Sequence, residues 1–220
     1  MERKEPRTTN RLPVFSDKHK ICIICEGNEE YAYLDKIKSL NVWNDQYAIF
    51  LDNAAGNGNI PARYQDRYQN GAYELVLIFC DTEKKPHEQY VDIKRKINAF
   101  HGIDNAAEAV IIFGNPCTMQ IIIKHWTDIS LKSPAKPVNA PLIKEYTGVE
   151  KYKGRADQIQ AIMKHITAEN YADMCRRVDS LEMPDTITGS SNFGKFMSLF
   201  ESGDSRWIDE INTKLEEDAH

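Results

Sequence analysis

Lys20-Ile21-Cys22-Ile23-Ile24-Cys25-Glu26-Gly27-Asn28-Glu29-Glu30 is the stretch that decides the fold. After Lys20 the run is wholly apolar, rich in isoleucine and cysteine, and it stops abruptly at Glu26-Gly27-Asn28. A run that short, bounded by turn residues, reads as a strand buried on both faces, the kind found inside parallel sheets. Beyond it the apolar spacing changes to three and four. Tyr33, Leu34, Ile37 and Leu40 line one face of a helix predicted over Glu29 to Leu40, with Asn28 as the expected N-cap and acids in the first turn.

Working outward, the strand-then-helix unit recurs. A second strand is predicted at Tyr47 to Leu51. It precedes a loop, Ala54-Ala55-Gly56-Asn57-Gly58-Asn59, read as a flexible connection, and a polar helical stretch toward Asn70. Glu74 to Cys80 is the third strand; it ends in Asp81-Thr82-Glu83-Lys84-Lys85-Pro86, ahead of a helix carrying Val91, Ile93, Ile97 and Phe100. Ala109 to Phe113 is the fourth, closed by Gly114-Asn115-Pro116, with a helix expected from about Cys117 to Ser130. Short apolar strands joined by crossovers of a dozen or more residues predict an α/β fold, a parallel sheet of about four strands flanked by helices. The expected organisation is a loose arm at 1–18, the α/β core at 19–130 and a helical region at 131–220 packed on it. A linker-like break from Leu131 to Ala140 opens that last region. Helices follow near Asp157 to Glu169, Tyr171 to Ser180, Phe193 to Phe200 and Trp207 to Leu215.

Composition narrows the class. The chain has 220 residues, 41% of them hydrophobic, which suffices for a real core. Its net charge of -5 gives no global attraction to a polyanion, so any nucleic-acid binding needs a local basic surface or bridging metal ions. Charge is uneven along the chain: Arg3, Lys4, Arg7, Arg11, Lys18 and Lys20 lie near the start, Glu216, Glu217 and Asp218 near the end. Of five cysteines, Cys22, Cys25 and Cys80 sit inside apolar runs and read as small core residues of a reducing compartment. Cys22 and Cys25 have the spacing of a zinc pair, but residues three apart on a strand face opposite ways and no second pair follows. No apolar stretch is long enough to span a bilayer and no signal-peptide core is visible, so the expectation is a cytoplasmic protein without membrane contact.

In an open α/β sheet, ligands bind beyond the carboxyl ends of the strands. Glu26 ends the first strand, Asp81 and Glu83 end the third, and Glu30 lies one helical turn past Glu26. Crowded carboxylates repel one another unless a divalent cation neutralises them. Magnesium prefers such oxygen ligands, and paired ions stabilise both the attacking and leaving oxygens of a phosphoryl displacement. The alternative is that these acids cap helices, where negative charge near an N-terminus is favourable. Four of them on two adjacent loops point instead to a site.

Glu26-Gly27-Asn28-Glu29-Glu30-Tyr31-Ala32-Tyr33-Leu34, after an apolar strand, resembles the E-G-x-x-E-x-x-Y-[FL] opening of RloB-like Toprim proteins, relatives of the OLD-family nucleases. Asp81-Thr82-Glu83 stands where that family carries a D-x-D metal motif. Asn115-Pro116-Cys117 and His125 are similar to its N-P-x-F-E-x-W-x-x-x-H segment, with Tyr152, Lys153, Ser191 and Asn192 as echoes of its C-terminal half. The segment departs at Thr118, Met119 and Ile121, which replace Phe, Glu and Trp, so one carboxylate is missing and Gln120 stands beside the gap.

The resemblance implies a Toprim/Rossmann-like core, dependence on Mg²⁺ or Mn²⁺, and action on phosphodiester bonds of DNA or RNA. It also implies a prokaryotic defence setting, restriction or abortive infection, beside a partner ATPase of the ABC/AAA type. Carried over, Glu26 handles a proton or positions metal, Asp81 and Glu83 ligate it, and Glu30 supports them. Lys84, Lys85, Asn115 and His125 become candidate substrate contacts, although on chemistry alone His125 beside Trp126 reads as a core histidine. Tyr64, Tyr68 and Tyr73 have the spacing of packing residues rather than of a base-stacking row. Gly56 and Gly58 lack the Gly-Lys-Ser/Thr context of a phosphate loop. Two further readings stay open: a catalytically degenerate binding protein, favoured by Met119, and a phosphohydrolase with Asp81 as nucleophile.

Overall fold

The computed structural model describes residues 18–216, so most of the expected N-terminal arm, and Glu217 and Asp218 at the other end, lie outside the described residues. Four strands, β1 (His19–Cys25), β2 (Tyr47–Asn53), β3 (Leu75–Asp81) and β4 (Ile111–Gly114), form one parallel sheet in the order β2-β1-β3-β4. The α/β expectation holds. Among the described residues ten α-helices connect and cover the strands. They are α1 (Asn28–Ser39), α2 (Ile60–Gln69), α3 (Glu88–His101), α4 (Ala106–Val110), α5 (Met119–Ile122), α6 (Lys136–Thr147), α7 (Ala156–Met163), α8 (Ala168–Val178), α9 (Phe193–Glu201) and α10 (Arg206–Glu216).

Register follows from the apolar runs. Ile21 of β1 faces Ile49 on one side and Leu75 on the other, and Ile78 of β3 faces Ile111. Ile21, Ile23, Ile24, Leu77, Ile78 and Phe79 are fully buried, each contributing roughly 1.5–3 kcal/mol of burial free energy. Right-handed crossovers carry the chain outward from β1 to β2 through α1, then back across to β3 through α2, so α1 lies on one face and α2 with α3 on the other. Aromatic side chains mark the two layers. Tyr33 of α1, Phe79 and Phe193 of α9 touch on one face; Tyr64 and Tyr68 of α2 meet Phe100 and His101 of α3 on the other. The packing role expected for Tyr64 and Tyr68 is observed, and Tyr73 packs on Phe50.

Because the first connection runs one way from β1 and the next returns to its other side, the path reverses between β1 and β3. The carboxyl ends of these two strands flank the crevice where such sheets bind ligands. The opposite end is closed by α10. Trp207 of α10 donates its indole N–H to the Tyr47 hydroxyl at the start of β2 (3.0 Å), and Asn212 reaches the Glu74 carbonyl just before β3 (2.9 Å). The free edge of β4 is covered by Ser191 and Asn192, whose side chains bond the Phe113 and Ile111 backbone.

Several boundaries differ from expectation, each for a local reason. Gly27, not Asn28, is the N-cap of α1, because the Glu30 carboxylate turns back to accept the Gly27 N–H at 2.9 Å. Ala109, expected in a strand, belongs to α4, which runs directly into β4. The helix expected to Ser130 ends near His125, where buried Lys124 donates to the Asp128 carbonyl and carboxylate and Gln120 ties Ile129 and Leu131 back, folding the chain into a loop. The supposed linker contains the start of α6, since Pro137 fits a first helical turn where its missing N–H costs nothing. The span expected as one helix to Glu169 splits into α7 and the start of α8, capped by Thr167. The Gly56 loop is held rather than loose: its N–H bonds the Glu26 carbonyl at 2.8 Å. No described helix is long and apolar enough to cross a membrane.

Candidate metal centre

The ladder between β1 and β3 continues one residue past β1, with the Glu26 N–H on the Phe79 carbonyl (3.0 Å), so Glu26 leaves the sheet beside the last residue of β3. Its Oε2 accepts the Asp81 N–H at 2.9 Å. Asp81, paired in register with Gly114, accepts both the backbone N–H (2.6 Å) and the hydroxyl (2.7 Å) of Thr118 on Oδ1. Glu83 takes a left-handed backbone conformation, φ 62°, fixed by its N–H on the Pro116 carbonyl at 3.1 Å. One carboxylate oxygen from each of Glu26, Asp81 and Glu83 lies within 4.8 Å of the others. Two strands and two loops thus deliver three half-buried acids to one point.

Burial and mutual repulsion act on this cluster together. Burial, then Glu30, pushes the Glu26 carboxyl up to about 8, while the Asp81 N–H opposes the rise. Asp81 is held well above the usual carboxylate range by burial, Glu30 and Glu26. Burial, then Glu29, raises Glu30 to about 7. These groups resist ionising in the absence of a counter-charge, and a divalent cation is the counter-charge that three convergent oxygens can share. Hard oxygen donors alone, with no histidine or thiolate in the group, fit Mg²⁺ or Mn²⁺ and not a structural zinc. Cys22 and Cys25 are both buried in the sheet as free thiols.

The acids open into a cleft of about 310 Å³, walled partly by Met119, Lys136, Tyr152 and Gly154. Lys136 is built in place. Its Nζ lies 3.0 Å from Glu29 Oε2 and 5.8 Å from the centre of the Tyr152 ring, and its stem runs so close to Gly154 that a Cβ there would meet Nζ at 2.6 Å. Tyr152 also donates its hydroxyl to Glu29. Glu29 is therefore held by two donors, one of them the Lys136 ammonium, which lines the cleft with the remaining acids.

No family model matches the chain, and no curated protein or solved structure matches it.

Of the residues singled out in the sequence, Glu26, Asp81 and Glu83 bring carboxylate oxygens within 4.8 Å of one another, and Glu30 lies buried beside them in the same cleft. Glu30 is 4% exposed, with its carboxylate on the Gly27 N–H: the helix-cap alternative describes it, and it lines the cleft floor. Lys84 and Lys85 are exposed on the loop beyond Glu83. Asn115 is corrected from a substrate contact to an internal pin, fully buried, with its amide donating to the Asp185 carbonyl at 2.6 Å. His125 is corrected likewise. It is 1% exposed, with Nε2 at 3.1 Å from the Tyr33 hydroxyl and Nδ1 at 2.9 Å from Asn170, and burial lowers its pKa to about 4. Gln120 is spent on the Ile129 and Leu131 backbone, and Met119 lines the cleft without offering a ligand. Thr118, Glu29, Lys136 and Gly154 were not foreseen. Thr118 lies in the segment after Asn115-Pro116, but Glu29 and Lys136 are 107 positions apart and carry no local signal of their pairing.

Proposed function

We propose that the protein is a divalent-metal-dependent nuclease-like enzyme acting on phosphodiester bonds, in the prokaryotic defence setting implied by its resemblance to RloB-like Toprim proteins. The observation that carries this reading is the meeting of Glu26, Asp81 and Glu83 within 4.8 Å at the crevice between β1 and β3. When bound, Mg²⁺ or Mn²⁺ supplies Lewis-acid stabilisation of charge on a phosphoryl oxygen. Asp81, held by Thr118, and Glu83, held by Pro116, present the ligand oxygens. Glu26, whose Oε2 accepts the Asp81 N–H at 2.9 Å, stands beside these ligands, where it would help hold the metal or pass a proton, as the resemblance implies. Lys136 offers a fixed positive charge to a non-bridging phosphate oxygen.

The test is incubation with labelled DNA and RNA in Mg²⁺ or Mn²⁺. Parent protein is expected to cleave one of them, and Glu26→Gln and Asp81→Asn to lose about 100-fold or more. Met119 favours one second reading, a degenerate protein that binds metal and nucleic acid, or a partner ATPase, without cutting. Intact metal binding with no cleavage of either polymer selects it. Phosphate release from a small monoester would instead select a phosphohydrolase using Asp81.

A further inference from the structure

Two grooves share walls with the acidic cleft. The first, about 510 Å³, carries Lys84, Lys85 and Lys132 and meets the cleft at Glu83 and Pro134. The second, about 430 Å³, carries Lys144, Lys151 and Lys153 over a floor of prolines and alanine, and meets the cleft at Tyr152. All six lysines are exposed. Lys144 is paired with Glu150 at 2.7 Å, whereas among the described residues Lys84, Lys85, Lys132, Lys151 and Lys153 form no ion pair. In a chain of net charge -5, five ammonium groups without an ion pair thus line the two grooves that open on the acidic cleft.

We propose that the phosphodiester backbone of one nucleic-acid strand lies along these two grooves and across the mouth of the cleft. The proposal rests on the metal-centre reading and adds the polymer track to it. A phosphate neutralises an unpaired lysine and releases a condensed counterion, which supplies sequence-independent affinity. The apolar floor between Lys144 and Lys153 suits the face of an unpaired base, which favours a single strand over a duplex. Glu83, the one acid in the first groove, is the residue that a bound cation neutralises. Continuity with the cleft then brings an internal phosphodiester to the acids, so the substrate class is a polynucleotide strand rather than a mononucleotide.

Anisotropy of a labelled single-stranded oligonucleotide, in deoxyribose and ribose arms, tests this with Ca²⁺ present to hold the strand uncut. The five unpaired lysines, with Lys136 left out because Glu29 already pairs it, predict a slope of log affinity against log salt of about -3.5, so a roughly fourfold rise in salt lowers affinity about 100-fold. Lys132→Ala/Lys151→Ala/Lys153→Ala is expected to cut the slope to about -1.4, and the same rise in salt then costs roughly 7-fold. Lys151→Ala/Lys153→Ala, at two exposed sites, keeps the measurement readable if the triple variant does not fold. Its expected slope is about -2.1. The arm that binds more tightly identifies the sugar. Unchanged affinity and slope in the lysine variants overturns the track, as does equal competition by poly-glutamate. If those variants bind normally while Glu26→Gln abolishes cutting, the track fails and the metal centre stands. If the variants lose binding and the parent cuts nothing, the track stands and cleavage fails.

Discussion

Glu83 shows at single-residue scale how the proposed ligand position is made. A residue with a Cβ in the left-handed region costs about 1–2 kcal/mol, and here it aims a carboxylate at Glu26 and Asp81. Glu83→Gly is expected to keep or raise the melting temperature of the metal-free protein by a few degrees while weakening its response to Mn²⁺. A fall in metal-free stability with the response intact would contradict this role. Lys136 depends on Gly154 for its path. Gly154→Ala, strained both by its φ of 73° and by the clash with the lysine stem, should reduce turnover about 10-fold or more with Mn²⁺ affinity retained, as should Lys136→Met. Equal losses of metal affinity and turnover would make the lysine merely structural. Titration adds two signed effects. Glu26 and Glu30 have folded pKa values above their ordinary 4.5, so the folded state holds more protons than the unfolded one. Their contribution to stability is present at low pH and is lost as pH rises toward 8, and metal binding should reverse that loss with release of protons. His125 runs the other way, its pKa lowered from 6.5 to about 4 by burial between Tyr33 and Asn170. Its contribution is complete above about 6.5 and falls by about 3 kcal/mol as pH drops toward 4, read as the difference between denaturation of the parent and of His125→Gln.

At the scale of elements, the turn from β4 into α5 is what holds Asp81. Thr118 reaches Asp81 only because the chain doubles back tightly at Gly114, where an added Cβ would meet the Cys117 carbonyl oxygen at 2.9 Å. Gly114→Ala should destabilise by about 1–3 kcal/mol in denaturant unfolding and weaken the metal response, because it separates Thr118 from Asp81. An unchanged midpoint would show that the turn yields freely. The same region marks how far the sequence could be read. All four strands and the convergence of Glu26, Asp81 and Glu83 were legible, since short apolar runs ending in acids identify buried strands and the ends that face a site. One helical turn brings Glu30 into the same cleft as Glu26, and the capping alternative describes its bond to the Gly27 N–H. The stretch from Cys117 to Ser130 has helical spacing yet leaves the helix after His125, because Gln120 bonds the Ile129 and Leu131 backbone and Lys124 the Asp128 carbonyl. His125 and Asn115 carried a plausible family pattern, and only tertiary contacts reveal both as internal supports.

For the whole molecule, the sheet order β2-β1-β3-β4 makes the crevice, the C-terminal helices divide between its two ends, and α6 contributes a cation, Lys136, paired with Glu29 beside the acids. Folding thus concentrates negative charge at one point against its own stability, and a cation that binds only the folded state returns that energy. Saturating Mn²⁺ at about 100 times its dissociation constant should add about 2.7 kcal/mol, roughly 5–10 °C in melting temperature for a chain of this size. The most direct measurement is a calorimetric titration of the metal-free protein with Mn²⁺ at neutral pH. Saturable binding to the parent, with proton release and at least a tenfold loss of affinity in both Glu26→Gln and Asp81→Asn, is the predicted result; no saturable uptake by the parent, or equal uptake by all three proteins, would contradict it.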